Sequence, residues 1–363
     1  MRVLYFSRDY TPHDHRFLAA LAESDHAIYY LRLEQRGHPV EERPLPQNIE
    51  AVSWSGGQRP ASLSDTPGLF MGLKEVLRRV NPDLIHAGPI QQCAWLAALT
   101  GFRPLLSMSW GYDLMQDAER NACWGWMTRF TLRRSTVMVG DCEAVRNQAI
   151  RFGMERDRIV IFPWGVDLNR FAPKSSNQRK SERFTLLSVR SWEPVYGVDV
   201  IARAFVQAAR QQPDLYLIML GAGSQAELIH NIFAEGGVME RVVFTGQVSQ
   251  MALPDYYWDA DLYVSASHTD GSSVSLLEAM ASGCPAVVSD IPGNQEWVQP
   301  DVNGWLFKDG DSGAMAKSIL QAFEQRGALA QMGVAARRIA EQRADWQKNF
   351  PALLRAYALA VSS

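Results

Sequence analysis

The chain has 363 residues, with 36 Lys and Arg against 39 Asp and Glu and a net charge of −3. That balance excludes a polycationic nucleic-acid binder, and 47% hydrophobic with 21% charged residues is a globular rather than a disordered or fibrous profile. The length suits two domains. Cys93, Cys123, Cys142 and Cys284 form no C-x-x-C pair, which argues against structural zinc and fits a reducing compartment.

The N-terminus, MRVLYFSRDY, enters an apolar strand directly and lacks the apolar core of a secretory signal. No stretch reaches the ~18 apolar residues needed to span a bilayer. A cytoplasmic protein is expected, with peripheral association at the inner membrane face left open. Short apolar runs then alternate with longer helical patterns. The predicted strands are Val3–Ser7, Ile28–Leu31, Leu84–Ala87, Leu105–Ser109, Val137–Gly140 and Val160–Phe162. A second series follows at Thr185–Val189, Leu215–Leu220, Val242–Thr245, Leu262–Ser265, Ala286–Ser289 and Trp305–Phe307. Continuous apolar strands are covered on both faces, so the pattern predicts an α/β protein of two doubly wound parallel units. Residues 173–183 are polar and aperiodic and read as a linker between domains at 1–172 and 184–344.

Several segments carry candidate chemistry. After the first strand stands RDYTPHDHRF, read as a loop with a helix beginning near Arg16. His13 and His15 suit acceptor binding or acid–base work, although polar residues in such a loop more often cap the helix or face solvent. Their His-x-His spacing lacks a third metal ligand. Residues 120–134, RNACWGWMTRFTLRR, read either as a basic amphipathic helix for an anionic membrane or as an ordinary half-buried helix.

Arg190 directly follows a predicted strand, where open α/β sheets bind ligands. It suits a diphosphate, or else pairs with Glu193. Gly221-Ala222-Gly223 is a weaker loop of the same kind. Asp259-Ala260-Asp261 resembles a metal-binding D-x-D but reads as a turn into the next strand.

The run SASHTDGSSVSLLEAMASGCPAVVSDIPGNQEW, residues 265–297, is the richest. Ser272, Ser273, Val274 and Ser275 open a predicted helix, whose first N–H groups stabilise a phosphate. Gly271 keeps the approach open. Glu278 suits the paired hydroxyls of a ribose, or completes a capping box with Ser275. Asp270 suits a ligand hydroxyl, or is a solvated turn residue. Near the C-terminus, helical spacing at about 345–361 is interrupted by Pro351. This helix either covers the second sheet or packs back on the first domain.

The pieces SVRSWEPVYGVDVIARAF, LYLIMLGAGS, VVFTGQV, DADLYVSAS, the 270–298 run and NGWLF occur in order. They resemble the retaining glycosyltransferases of family 4, group 1, across nearly all of 184–308. PDLIHAG, SWGYDL and FPWGVDLNRF extend the likeness more loosely toward the N-terminus. The resemblance implies a GT-B fold, two Rossmann-like domains facing each other across a cleft. It implies that Glu278 binds the donor ribose, that Asp270 faces the donor sugar, and that Arg190 holds the diphosphate. Two departures stand out: the family's clamp lysine is Tyr196 here, and its acceptor-side histidine is Trp110, leaving Asp113 as the polar candidate there. Gly221 joins the expected donor site.

The implied reaction is metal-independent transfer of a sugar with retention, from a nucleoside diphosphate sugar to a glycan or lipid-linked acceptor. It needs no cofactor beyond the donor and no nucleic-acid partner. A sugar-nucleotide epimerase on the same fold, or a non-catalytic sugar-nucleotide-binding relative, is the alternative.

Overall fold

The computed structural model describes residues 1–35, 41–174 and 183–363. The chain divides into two compact units, residues 1–162 with 350–363, and residues 163–349. Most of the predicted linker, residues 175–182, lies outside the described residues.

The first unit holds a seven-stranded, wholly parallel sheet in the order β3-β2-β1-β4-β5-β6-β7. Its strands are β1 (Arg2–Ser7), β2 (Ala27–Arg32), β3 (Ile49–Ala51), β4 (Leu84–Ala87), β5 (Leu105–Met108), β6 (Val137–Gly140) and β7 (Ile159–Ile161). The apolar runs at β4, β5 and β6 are buried at every position. β3 is the strand that sequence pattern missed. It has three residues, none of them buried, and pairs only at the sheet edge, so it carries no apolar run.

The second unit holds a six-stranded parallel sheet in the order β10-β9-β8-β11-β12-β13. Here the strands are β8 (Phe184–Val189), β9 (Leu215–Leu220), β10 (Val242–Gly246), β11 (Leu262–Ser265), β12 (Ala286–Ser289) and β13 (Gly304–Phe307). In each sheet the strand order reverses once: between β1 and β4 in the first, and between β8 and β11 in the second. Loops leaving the carboxyl ends at a reversal diverge to opposite faces and open a crevice there.

Residues 163–172, expected with the first domain, pack in the second unit. Val166 forms a bridge to Asp345, and Phe171 is buried beside Tyr257. The C-terminal segment goes the other way. Pro351 does not kink one helix but starts a new one, Pro351–Ser362, where a first-turn proline loses no hydrogen bond. Leu353, Ala356, Tyr357 and Ala360 are its buried stripe, and it belongs to the first unit. There the Tyr357 hydroxyl lies 2.7 Å from His86 Nδ1 on β4. Burial pushes the His86 pKa down to about 3, so this imidazole is neutral.

Candidate functional site

The second unit's strand reversal brings the key residues together. Arg190 directly follows β8, and the Asp270–Ser275 loop lies beyond its neighbour β11. The Arg190 guanidinium donates through Nη2 to Asp270 Oδ2 at 2.7 Å. Through Nη1 it donates to Ser273 Oγ at 2.9 Å and Ser275 Oγ at 3.2 Å. Its fifth donor, Nε, is buried with no hydrogen-bond partner. Burial alone would favour loss of the charge. Asp270, and then Tyr196 and Tyr263, outweigh it and hold the arginine pKa above its ordinary value. Arg190 therefore pairs with Asp270, not Glu193; Glu193 instead accepts from the Ser224 amide and hydroxyl.

Tyr196 occupies the place where the family resemblance leads one to expect a lysine. Its ring lies under the guanidinium, 4.1 Å from ring centre to Arg190 Cζ. A cation over a π face is held in place without a second positive charge.

The helix opened by the serine loop is Val274–Ala281, with Ser273 at its N-cap. The Ser275–Glu278 capping box does not form, because Ser275 already lies inside the helix. Its hydroxyl is 2.7 Å from the Tyr263 hydroxyl. Ser273 makes no side-chain cap bond either, since its hydroxyl accepts from Arg190. The first amides of this helix thus lack a side-chain cap.

Glu278 is buried one turn along and accepts from the Tyr257 hydroxyl at 2.9 Å. Trp297 Nε1 donates to Ser272 Oγ at 3.2 Å. Gly293 lies so close beneath the loop that a Cβ there would fall 2.3 Å from the Gly271 carbonyl. Tyr257, Tyr263 and Trp297 were missed by sequence reasoning, because buried aromatics on an apolar pattern read simply as core. Only their hydroxyl and indole partners show that they position the loop.

Gly221 has φ +98° and leaves no room for a side chain, since a Cβ would lie 2.6 Å from the Arg190 carbonyl. The G-x-G pair therefore seats the Arg190 loop against the loop after β9. Asp261 Oδ2 accepts from the Thr185 amide at 2.9 Å and aligns β11 with β8.

The candidates of the first unit fall elsewhere. The helix after β1 begins at Pro12, not near Arg16. Thr11 and Asp14 form its capping box, with proline in the first turn, so His13 and His15 lie on a helix rather than a loop. T-P-x-D was the available signal. The His13 ring lies 5.9 Å from that of Trp110. His15 Nδ1 is 2.7 Å from the Tyr10 hydroxyl, and burial lowers its pKa.

Asp113 is fully buried. Its Oδ1 accepts from the Ser109 hydroxyl and the Trp110 and Leu114 amides, and its Oδ2 from the Ile90 amide. Burial pushes its pKa up to about 6 against the pull of those bonds. Such a carboxylate ties the loops after β4 and β5 together, and this corrects its expected place as a residue facing ligand. The helix Ala122–Arg134 buries Gly125, Met127, Thr128, Thr131 and Leu132, the half-buried pattern. It leaves Trp126 exposed and stacked on Phe130 at 5.4 Å. No described helix is long and apolar enough to cross a membrane.

A family model described as "Glycosyltransferase Family 4" matches residues 13–170, and one described as "Glycosyl transferases group 1" matches residues 169–339. The chain belongs to the group 1 glycosyltransferases of family 4. The enzyme is 26% identical over 239 residues to D-inositol 3-phosphate glycosyltransferase of Nocardia farcinica, covering 62% of this chain and 52% of that protein. It is 25% identical over 283 residues to the GDP-mannose-dependent alpha-(1-6)-phosphatidylinositol monomannoside mannosyltransferase of Mycolicibacterium smegmatis, covering 72% of each. In structure it is similar to sucrose-phosphate synthase from Thermosynechococcus elongatus, with a TM-score of 0.83 at 17% identity over the whole of both chains. That likeness is one of fold, and the two parallel-sheet units are those of GT-B glycosyltransferases.

Proposed function

We propose that this glycosyltransferase takes its sugar from a nucleoside diphosphate sugar held in the second unit, and transfers it with retention and without a metal. The observation that carries this reading is Arg190: a buried guanidinium with an unpartnered Nε, beside the uncapped N-terminus of the helix Val274–Ala281. Nε–H and the helix amides are donors for the diphosphate oxygens, and Glu278 accepts from the ribose hydroxyls. As the anomeric bond stretches, negative charge grows on the leaving phosphate, where a fixed guanidinium and helix dipole stabilise it. The departing phosphate oxygen takes the proton of the acceptor hydroxyl, which attacks from the same face. Asp270 and Tyr196 orient Arg190 for this work. No cofactor is called for, because the helix N-terminus and Arg190 supply the charge stabilisation.

The acceptor side is the first unit. A lipid-linked acceptor agrees with the name of the phosphatidylinositol monomannoside mannosyltransferase and with Trp126, exposed and stacked on the half-buried Phe130 near Arg133 and Arg134.

The test is a thermal-shift screen of the purified enzyme with GDP-mannose, UDP-glucose, ADP-glucose and CMP-sugars, followed by transfer assays with and without EDTA. Selective stabilisation by one diphosphate sugar, lost in Arg190→Ala, is expected. The product should keep the donor's anomeric configuration by NMR. An inverted product would exclude front-face attack, and loss of activity in EDTA restored by a divalent ion would exclude the metal-free reading.

A further inference from the structure

Arg190 borders a file of hydroxyls, all on buried residues: Ser267, Ser265, Tyr263, Ser275 and Ser273. The Tyr263 phenol, on β11, lies 2.7 Å from Ser275 Oγ. Ser275 Oγ lies 3.3 Å from Ser273 Oγ, at the N-cap of the helix Val274–Ala281. Behind the phenol, the Ser265 hydroxyl bonds the Tyr263 oxygen and lies 3.2 Å from Ser267 Oγ. Ser275 is pinned at both ends, because its carbonyl also accepts from the Tyr257 hydroxyl at 3.1 Å.

The hydrogens of this file have a direction. A serine oxygen accepts two hydrogen bonds and donates one, whereas a guanidinium only donates. Arg190 Nη1 donates to Ser273 Oγ and to Ser275 Oγ, which fills one acceptor position on each. A phenol is a stronger acid than an aliphatic alcohol and a poorer acceptor, so in the 2.7 Å pair Tyr263 donates to Ser275. Burial raises the phenol pKa against the pull of the Arg190 charge, which keeps that proton in place. Ser275 Oγ then accepts twice, and its own hydrogen has Ser273 Oγ as acceptor. Ser273 Oγ in turn accepts twice. Its hydrogen is left over, beside first amides that lack a side-chain cap.

We infer that Tyr263 and Ser275 are positioning residues of the donor site: they turn the Ser273 hydroxyl outward, as a further donor to the leaving phosphate. This rests on the donor reading above and adds to it the groups that aim that hydroxyl. In the opposite sense, Ser273 would donate inward to Ser275 and turn a lone pair toward the phosphate. Hydrogen bonds in a chain polarise one another, so each link strengthens as negative charge grows at its end. The contribution is therefore larger for the departing diphosphate than for the intact donor, and that difference favours the chemical step.

Calorimetric titration of the full chain at pH 7.5 tests this without an acceptor. The probes are GDP with GDP-mannose, UDP with UDP-glucose, and ADP with ADP-glucose. The free diphosphate carries the terminal charge that the sugar ester lacks, since that ionisation has a pKa of about 6. Tyr263→Phe removes only the phenolic oxygen. It should weaken the diphosphate about ten-fold and its sugar ester less than about two-fold. Ser275→Ala breaks the file one link later and should do the same, which keeps the test decisive if one variant fails to fold. The double variant Tyr263→Phe, Ser273→Ala should bind the diphosphate within about two-fold of Ser273→Ala alone, because the phenol acts through that hydroxyl. The inference is overturned if Tyr263→Phe and Ser275→Ala bind the diphosphate like wild type. Equal weakening of both ligands, or losses that multiply in the double variant, would show a general structural role and overturn it as well. If no probe binds the wild type, the donor reading itself fails and takes this inference with it. A wild type that binds, beside a Tyr263→Phe that binds equally well, overturns this inference alone.

Discussion

The two strand reversals share a topology and differ in chemistry. In the second unit, the loops after β8 and β11 bring a guanidinium, a carboxylate and two serine hydroxyls into one mutually bonded cluster beside a helix N-terminus. In the first, the loops after β1, β2 and β4 line a cavity whose charged groups are Arg8, Glu34, Asp117 and Arg120. The same fold therefore opens two crevices, and the residues on them set what each can hold. One is organised around a single guanidinium, and the other carries two guanidiniums against two carboxylates.

The largest effect expected is at Arg190. Its replacement by Ala should lower turnover by about 10²–10³-fold, the usual cost of removing one group that stabilises developing charge. Steady-state transfer with saturating donor checks this, and near-normal turnover would erase the contrast between the two crevices. Glu278→Gln keeps an acceptor but loses its charge, so the donor KM should rise about 10–100-fold while the fold is retained. Tyr196 discriminates further. Tyr196→Phe should retain activity because the ring does the seating, whereas Tyr196→Leu should lose about ten-fold. Equal losses in both would mean that the hydroxyl, not the π face, matters.

The frame beneath the first crevice should respond to acid. His86 has a lowered folded pKa, so its contribution is present above about pH 6.5 and is lost as pH falls toward 3. That amounts to about 2 kcal/mol between pH 6.5 and pH 5. Asp14 and Asp113 act oppositely. Burial raises both to about 6, so their proton-bound forms favour the fold as pH falls through 6. They are unchanged in His86→Leu, whose thermal midpoint should therefore fall less between pH 7.5 and pH 5 than that of wild type. The smallest effect is that of salt. Raising NaCl from ~50 to ~500 mM should weaken nucleotide binding a few-fold, because the second unit's crevice is organised around charge.

Much of the fold was legible because parallel strands covered on both faces must be apolar throughout. Every strand except β3 announced itself in this way, and β3 could not, being short, exposed and at an edge. Arg190, Asp270 and the serines were legible as candidates because loops at strand ends have few structural reasons to hold such groups. Their partners were not. Glu193 lies three residues from Arg190 in the chain, yet the pair that forms is with Asp270, eighty residues away. The histidines illustrate the opposite error: local capping by Thr11 and Asp14 placed them on a helix that a loop-like composition concealed.

By itself the amino-acid order determined the alternation of strand and helix, the parallel sheets and the family, since each depends on period, on local propensity or on motifs contiguous along the chain. Tertiary structure decided which unit the last helix joins, that the Tyr196 ring lies under Arg190, and which buried polar atoms of the first unit are left without partners. Those outcomes depend on distances between residues far apart in the chain, and hydrogen bonds and ion pairs are satisfied or left open only when packing brings such residues to within about 3 Å.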